Sequence, residues 1–129
     1  MMKDLYQSAD WKAEKHVPVI ECADTLKKGE AVTVTVSVGK QIAHPNTAAH
    51  HIAAVELYFL PNGEKFPYQI GRCEFSSHGA SIQGPDTSTV FTQPVAVFSL
   101  KTEKSGVLLA GGYCNIHGAW ENAKEITVV

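Results

Sequence analysis

Two short stretches carry residue types that could do chemistry. In Cys114-Asn115-Ile116-His117-Gly118 a thiol and an imidazole stand three residues apart. In His44-Pro45-Asn46-Thr47-Ala48-Ala49-His50-His51 one histidine opens a loop and two close it. A Cys-x-x-His turn is a compact chelating unit: thiolate and ring can reach one ion, and the backbone N–H groups of Ile116 and His117 can point back at sulfur. Gly118 then lets the chain leave a crowded turn. On its own this spacing is explained as well by a free buried cysteine beside an unrelated histidine.

The histidine loop adds to the pattern. Pro45 keeps His44 out of helical conformation, and Asn46 and Thr47 favour a turn, so a short loop can bring His44 and His50 back toward one point. If His50 and His51 lie in the following strand they face opposite sides of a sheet, and only one can meet His44. His50 is nearer the turn; His51 is expected to support the loop or face solvent. His78, in a Ser/Gly-rich loop, reads as a surface or internally satisfied histidine, and Cys22 and Cys73 as inert thiols.

Such residues need a scaffold, and the chain offers strands. Val32, Val34, Val36 and Val38 alternate with Thr33, Thr35 and Ser37, the period of a strand with one buried and one wet face. Further β-rich runs end at Leu60, Phe75, Leu100, Cys114 and the C-terminus, with a short extended piece at residues 16–20. Turn chemistry separates them at residues 61–67, 78–89 and 101–106. No run suggests a helix of three turns. The expectation is one domain over residues 1–129, an all-β, immunoglobulin-like antiparallel β-sandwich of about seven strands.

Composition narrows the function. The 129 residues are 44% hydrophobic and 19% charged, without an apolar stretch long enough to span a bilayer. A formal net charge of -2 gives no reason to expect nucleic acid or anionic lipid as partner. The polar start lacks the apolar core of a secretory signal, which points to the cytoplasm, where thiols stay reduced. Three widely spaced cysteines do not make a disulfide framework or a four-cysteine metal knot.

Taken together, residues 13–20 (AEKHVPVI), 44–52 (HPNTAAHHI) and 112–121 (GYCNIHGAWE) resemble the superoxide reductases, specifically the one-iron neelaredoxin type of the desulfoferrodoxin iron-binding family. The resemblance spans nearly the whole chain. It implies one iron per chain, held by four equatorial histidines, His16, His44, His50 and His117, and one axial thiolate, Cys114. Glu14 and Lys15 match the pair beside the open coordination site. The departures are mild: Ala48 and Ala49 stand where a polar residue is expected, and the loop from His78 to Pro94 is longer than usual. The two-iron relatives carry an additional cysteine-rich N-terminal domain, which is not expected here given the short stretch before Glu14 and only three cysteines. The resemblance therefore implies an external electron donor of rubredoxin type, and assembly as a homotetramer or dimer.

The residue types suit the implied reaction, one-electron reduction of superoxide to hydrogen peroxide. Ferrous iron with four neutral rings and one thiolate carries a local charge of about +1, which attracts the anion although the chain is net negative. Lys15 is expected to steer superoxide or help orient water for protonation, and Glu14 to serve as a reversible sixth ligand after oxidation. The axial thiolate is expected to donate electron density toward the open side, tempered by N–H groups facing sulfur. The alternative is a cupredoxin-like electron carrier, which also uses a late Cys-x-x-His turn. That reading wants an axial methionine after His117, and both methionines are at positions 1 and 2. A structural zinc site would leave one of five candidates without a role. A metal-free binding module would make all five a coincidence.

Overall fold

A computed structural model describes residues 1–129 as two packed β-sheets with almost no helix. The strands are β1 (Pro18–Glu21), β2 (Thr25–Leu26), β3 (Ala31–Val38), β4 (Ile52–Pro61), β5 (Tyr68–Glu74), β6 (Val95–Lys101), β7 (Gly106–Cys114) and β8 (Gly118–Val128). One sheet has the order β1-β3-β6 and the other β2-β8-β7-β4-β5. All neighbours are antiparallel except the two-residue β2, which runs parallel to the end of β8. The expected antiparallel sandwich is therefore present, with eight strands.

The alternation in β3 does what its period demands. Val34, Val36 and Val38 are buried and Val32 packs against the same cluster, while Thr33 and Thr35 are more open. Ser37 departs from the pattern. It is only 6% exposed, paired between Val19 and Val95 in the middle of its sheet, and its hydroxyl has no hydrogen-bond partner. Across the sandwich, Val55, Leu57, Leu108 and Ala110 meet these valines in a single core cluster. Each fully buried Val or Leu contributes about 1.5–3 kcal/mol by removal from water. Cys22 and Cys73, half-buried against this cluster, are free thiols.

β8 is longer than its sequence suggests. The β-rich run at the end of the sequence covers only residues 125–129, but β8 starts at Gly118 and pairs with β7 from Cys114↔Gly118 to Gly106↔Ile126. Most of its side chains are exposed or half-exposed, so no hydrophobic alternation announces it. The hairpin that joins β7 to β8 puts residues 115–117 at one end of the sandwich. The stretch from residue 39 to residue 51, between β3 and β4, arrives at the same end because Ile52 pairs with Cys114.

Candidate metal centre

Three separate pieces of backbone deliver five side chains to this end of the sandwich. The first is a turn before β1, in which the Ala13 and Glu14 N–H groups both donate to Asp10 O. It leads through Lys15 into buried His16, and Pro18, which needs no N–H there, opens the edge strand β1. The second piece is the 44–51 loop. The third is the β7–β8 turn, where Gly118 at φ 81° provides the left-handed position of a three-residue hairpin. A Cβ on Gly118 would meet nothing within 4 Å, so the glycine is required by conformation and not by crowding.

β4 begins with a bulge between Ile52 and Ala54 against β7, a device that re-aims side chains beside a site. His50 and His51 precede the strand instead of lying in it. Asn115 ties the second and third pieces together. Its Oδ1 accepts the His51 N–H at 2.8 Å and its Nδ2 donates to Ala49 O at 2.9 Å.

The four rings form a near-square. Going round it, centroids are 4.6 Å apart for His16–His117, 5.0 Å for His117–His50, 4.7 Å for His50–His44 and 4.9 Å for His44–His16. The diagonal His16–His50 is 6.4 Å. Four corners of a tetrahedron would all be equally far apart, whereas a square with these sides has a diagonal of about 6.8 Å, so the arrangement departs from the tetrahedron that structural zinc prefers.

The nitrogens converge as well. His16 Nε2 lies 3.1 Å from His117 Nδ1, which lies 3.2 Å from His50 Nε2 and 3.7 Å from Cys114 Sγ. Two nitrogens at right angles on one ion, each bonded at about 2.1 Å, sit about 3.0 Å apart. One ring nitrogen carries at most one hydrogen and cannot satisfy three such neighbours, whereas a shared cation can. The ligand atoms of His16, His50, Cys114 and His117 all lie within 4.8 Å of one another.

His44 stands outside that group of four but closes the square, and its chemistry is that of a ligand without an ion. Its Nδ1 donates to Pro45 O at 2.7 Å, which leaves the lone pair on Nε2, and Nε2 is buried with no partner. A buried, unpaired acceptor is costly, about 1–3 kcal/mol, and a cation in the centre of the square would remove that cost. Burial, followed by the nearby His16, His50 and Lys15, pushes His44 down to about 4. Burial, followed by the neighbouring His117, His16, Lys15 and His51, also lowers His50. Both rings are therefore neutral at neutral pH, the form that binds metal.

Glu14 does something other than face the open side. Its Oε1 accepts both the His16 backbone N–H, at 2.9 Å, and the His16 Nδ1–H. That pair of bonds fixes the His16 tautomer, with Nε2 left for an ion, and the bond from the ring holds the Glu14 carboxyl below its usual range. To become a sixth ligand the carboxylate would have to release the ring. Lys15 lies close enough for its charge to act on His44, His50 and Glu14, and it takes part in none of the ion pairs.

Cys114 is wholly buried, and its sulfur accepts the His117 backbone N–H at 3.3 Å. The Ile116 N–H, expected to do the same, makes no such bond. His51 turns away from the square: its Nδ1 donates to Thr47 O, and its ring stacks on His78. His78 faces inward, with Nε2 2.6 Å from Phe75 O and Nδ1 2.8 Å from Asn46 Oδ1.

Sequence reasoning passed over Trp120. Its indole stacks on His16 at 5.0 Å and 16°, and Nε1–H donates to His117 O at 3.2 Å, so one side chain braces two candidate ligands from opposite ends of the chain. Only the register of β8, which sets position 120 two residues beyond the hairpin glycine, reveals this.

Comparison with known proteins gives a consistent result. Residues 8–123 match the family model described as desulfoferrodoxin. The chain is 58% identical over 128 residues to a superoxide reductase of Pyrococcus furiosus, covering 99% of each. It is 49% identical over 127 residues to a neelaredoxin of Megalodesulfovibrio gigas, covering 98% of each. The solved structure of the superoxide reductase (neelaredoxin) from Archaeoglobus fulgidus in the reduced form superposes with a TM-score of 0.89 at 59% identity, covering 95% of this chain and 98% of that one.

Proposed function

The chain belongs to the desulfoferrodoxin family, and from that premise we propose that it is a superoxide reductase, reducing superoxide to hydrogen peroxide at one iron without dismutation. The observation that carries the reading is the near-square of four histidine rings with an orphaned Nε2 at one corner and a buried thiol beside them. His16, His44, His50, His117 and Cys114 would hold the ion. When bound, the iron supplies the electron, cycling between ferrous and ferric states.

The chain's own residues do the rest. Glu14 keeps the His16 tautomer fixed, and the His117 N–H draws charge from the Cys114 sulfur. Lys15, at the rim, raises the local concentration of a small anion that the net charge of -2 would otherwise repel. Reduction consumes one electron and two protons, and water at the rim, oriented by the Lys15 ammonium, is the proton source.

Two experiments test this. With an excess of reductant, the protein should yield one hydrogen peroxide per superoxide consumed and evolve no dioxygen; half that yield with dioxygen release is dismutation and contradicts the proposal. Lys15→Ala should react with superoxide about tenfold more slowly at low ionic strength, with the gap closing as salt screens the charge. An unchanged rate and salt slope removes Lys15 from the mechanism.

The partners belong to the same proposal. The electron arrives from a rubredoxin-like one-electron carrier, for which exposed Tyr113 and Ile116, flanking the cysteine turn, offer an apolar landing surface. The chain assembles as a homotetramer or dimer. Support comes from β5 and β6, which are sheet edges and leave Tyr68, Val95 and Val97 exposed. A cytoplasmic location is proposed with it; no helix is long and apolar enough to cross a membrane.

A further inference from the structure

Residues 75–94, the long connection from β5 to β6, have no part in the chemistry above. They fold back on themselves. His78 bridges Phe91, the Thr92 N–H donates to Ser77 O at 2.8 Å, and the Ser88 N–H donates to Gly79 O at 2.9 Å. At the tip, Ser81 and Gly84 exchange N–H bonds of 3.0 and 2.9 Å.

This closed loop is fastened to the 44–51 loop at four points. Asn46 Nδ2 donates to Thr92 O at 2.9 Å. Asn46 Oδ1 lies 2.8 Å from His78 Nδ1. Asp86 Oδ1 accepts the Ala48 N–H at 2.9 Å. The His78 ring lies flat on His51, at 3.6 Å between centroids and 2° between planes. His78 Nε2 in turn donates to Phe75 O at 2.6 Å, so the ring is anchored where β5 ends.

The 44–51 loop needs such an anchor. It carries two of the four rings, has no strand or helix of its own, and its internal bonds are few: Thr47 N–H and Oγ1–H to His50 O, His50 N–H to Thr47 Oγ1, the His44 ring to Pro45 O and the His51 ring to Thr47 O. Ordering irregular backbone carries an entropic cost at every residue, and a metal site tolerates ligand displacements of only about 0.5 Å. Asp86 is the one non-glycine residue at positive φ, 57°, a conformation that crowds its Cβ against the backbone and carries a cost. That cost is accepted where the carboxylate reaches Ala48, two residues before His50.

We propose that Asn46, His78 and Asp86 are positioning residues for His44 and His50, and that residues 75–94 act as an external brace on the ligand loop. The inference rests on the ligand reading above and adds to it a role for the long loop.

The test uses the full chain loaded with ferrous iron. It compares Asp86→Gly, which tolerates positive φ but lacks the carboxylate, with Asp86→Asn, which keeps an acceptor oxygen and the conformation, and with His78→Ala. Three quantities are read: the rate of iron loss to excess chelator, the position of the visible band after oxidation, and the melting temperature of the metal-free chain. Asp86→Gly and His78→Ala should lose iron about tenfold faster or more, with a displaced band, while Asp86→Asn stays at the unmodified rate. Thr87→Val, which alters the loop tip where Thr87 bonds Ser81 and Gly84, should not change iron loss. The inference is overturned if Asp86→Gly and His78→Ala lower the melting temperature yet lose iron at the unmodified rate with an unmoved band, since the loop would then only pack. If the unmodified chain takes up no iron and shows no band, the ligand reading fails, and this inference fails with it.

Discussion

Cys114→Ser abolishes the thiolate-to-iron absorption of the oxidised protein and lowers superoxide reduction at least about 100-fold, because even changes in the groups that merely orient ligands cost 10–100-fold. Serine is nearly the same size and can still accept the His117 N–H, so the turn between β7 and β8 has no reason to open. What changes is the donor. A hydroxyl does not ionise near neutral pH and is a hard oxygen, whereas the thiolate is a soft donor that pushes charge onto the ion. The visible spectrum of the iron-loaded variant, with circular dichroism to show that the sandwich is intact, checks this. A variant that keeps the band would remove Cys114 from the centre.

The second large effect is a split in sign at His44. His44→Leu should weaken iron binding at least about 100-fold, as loss of one corner of the square exceeds the effect of disturbing an outer contact. The metal-free chain should respond in the opposite sense or hardly at all. It sheds a buried acceptor that has no partner, worth about 1–3 kcal/mol, against one lost bond to Pro45 O worth about 1 kcal/mol. Thermal melts with and without iron separate the two. A variant much less stable without metal, but unchanged in iron affinity, would make His44 a packing residue and contradict its place among the ligands.

Much of this architecture could be read before any coordinates. The valines of β3 announce a half-buried strand because their period and their burial have the same cause. The start of β8 does not announce itself, since residues 118–124 are held by backbone pairing along β7 and not by an apolar face. The two-residue β2 exists only because the end of β8 lies beside it.

The site divides in the same way. Residue types point to the Cys-x-x-His turn and the 44–51 loop, and the family resemblance implies the full set of five side chains that converge. The groups that aim them are hidden in the sequence. Trp120, Asn115 and Asp86 act through where a hairpin register or a loop crossing places them, and nothing local distinguishes them from ordinary surface residues. Glu14 shows the converse. The family resemblance implies a residue beside the open side, yet in the structure its carboxylate is occupied with the His16 ring.

The central claim is one iron held by four rings and one sulfur at the end of this sandwich. Metal analysis of aerobically purified protein, with a visible spectrum before and after addition of ascorbate, addresses it most directly. The account predicts iron close to one per chain and a thiolate-to-iron band that bleaches on reduction. Zinc or copper at full occupancy, or iron without a bleachable band, would contradict it.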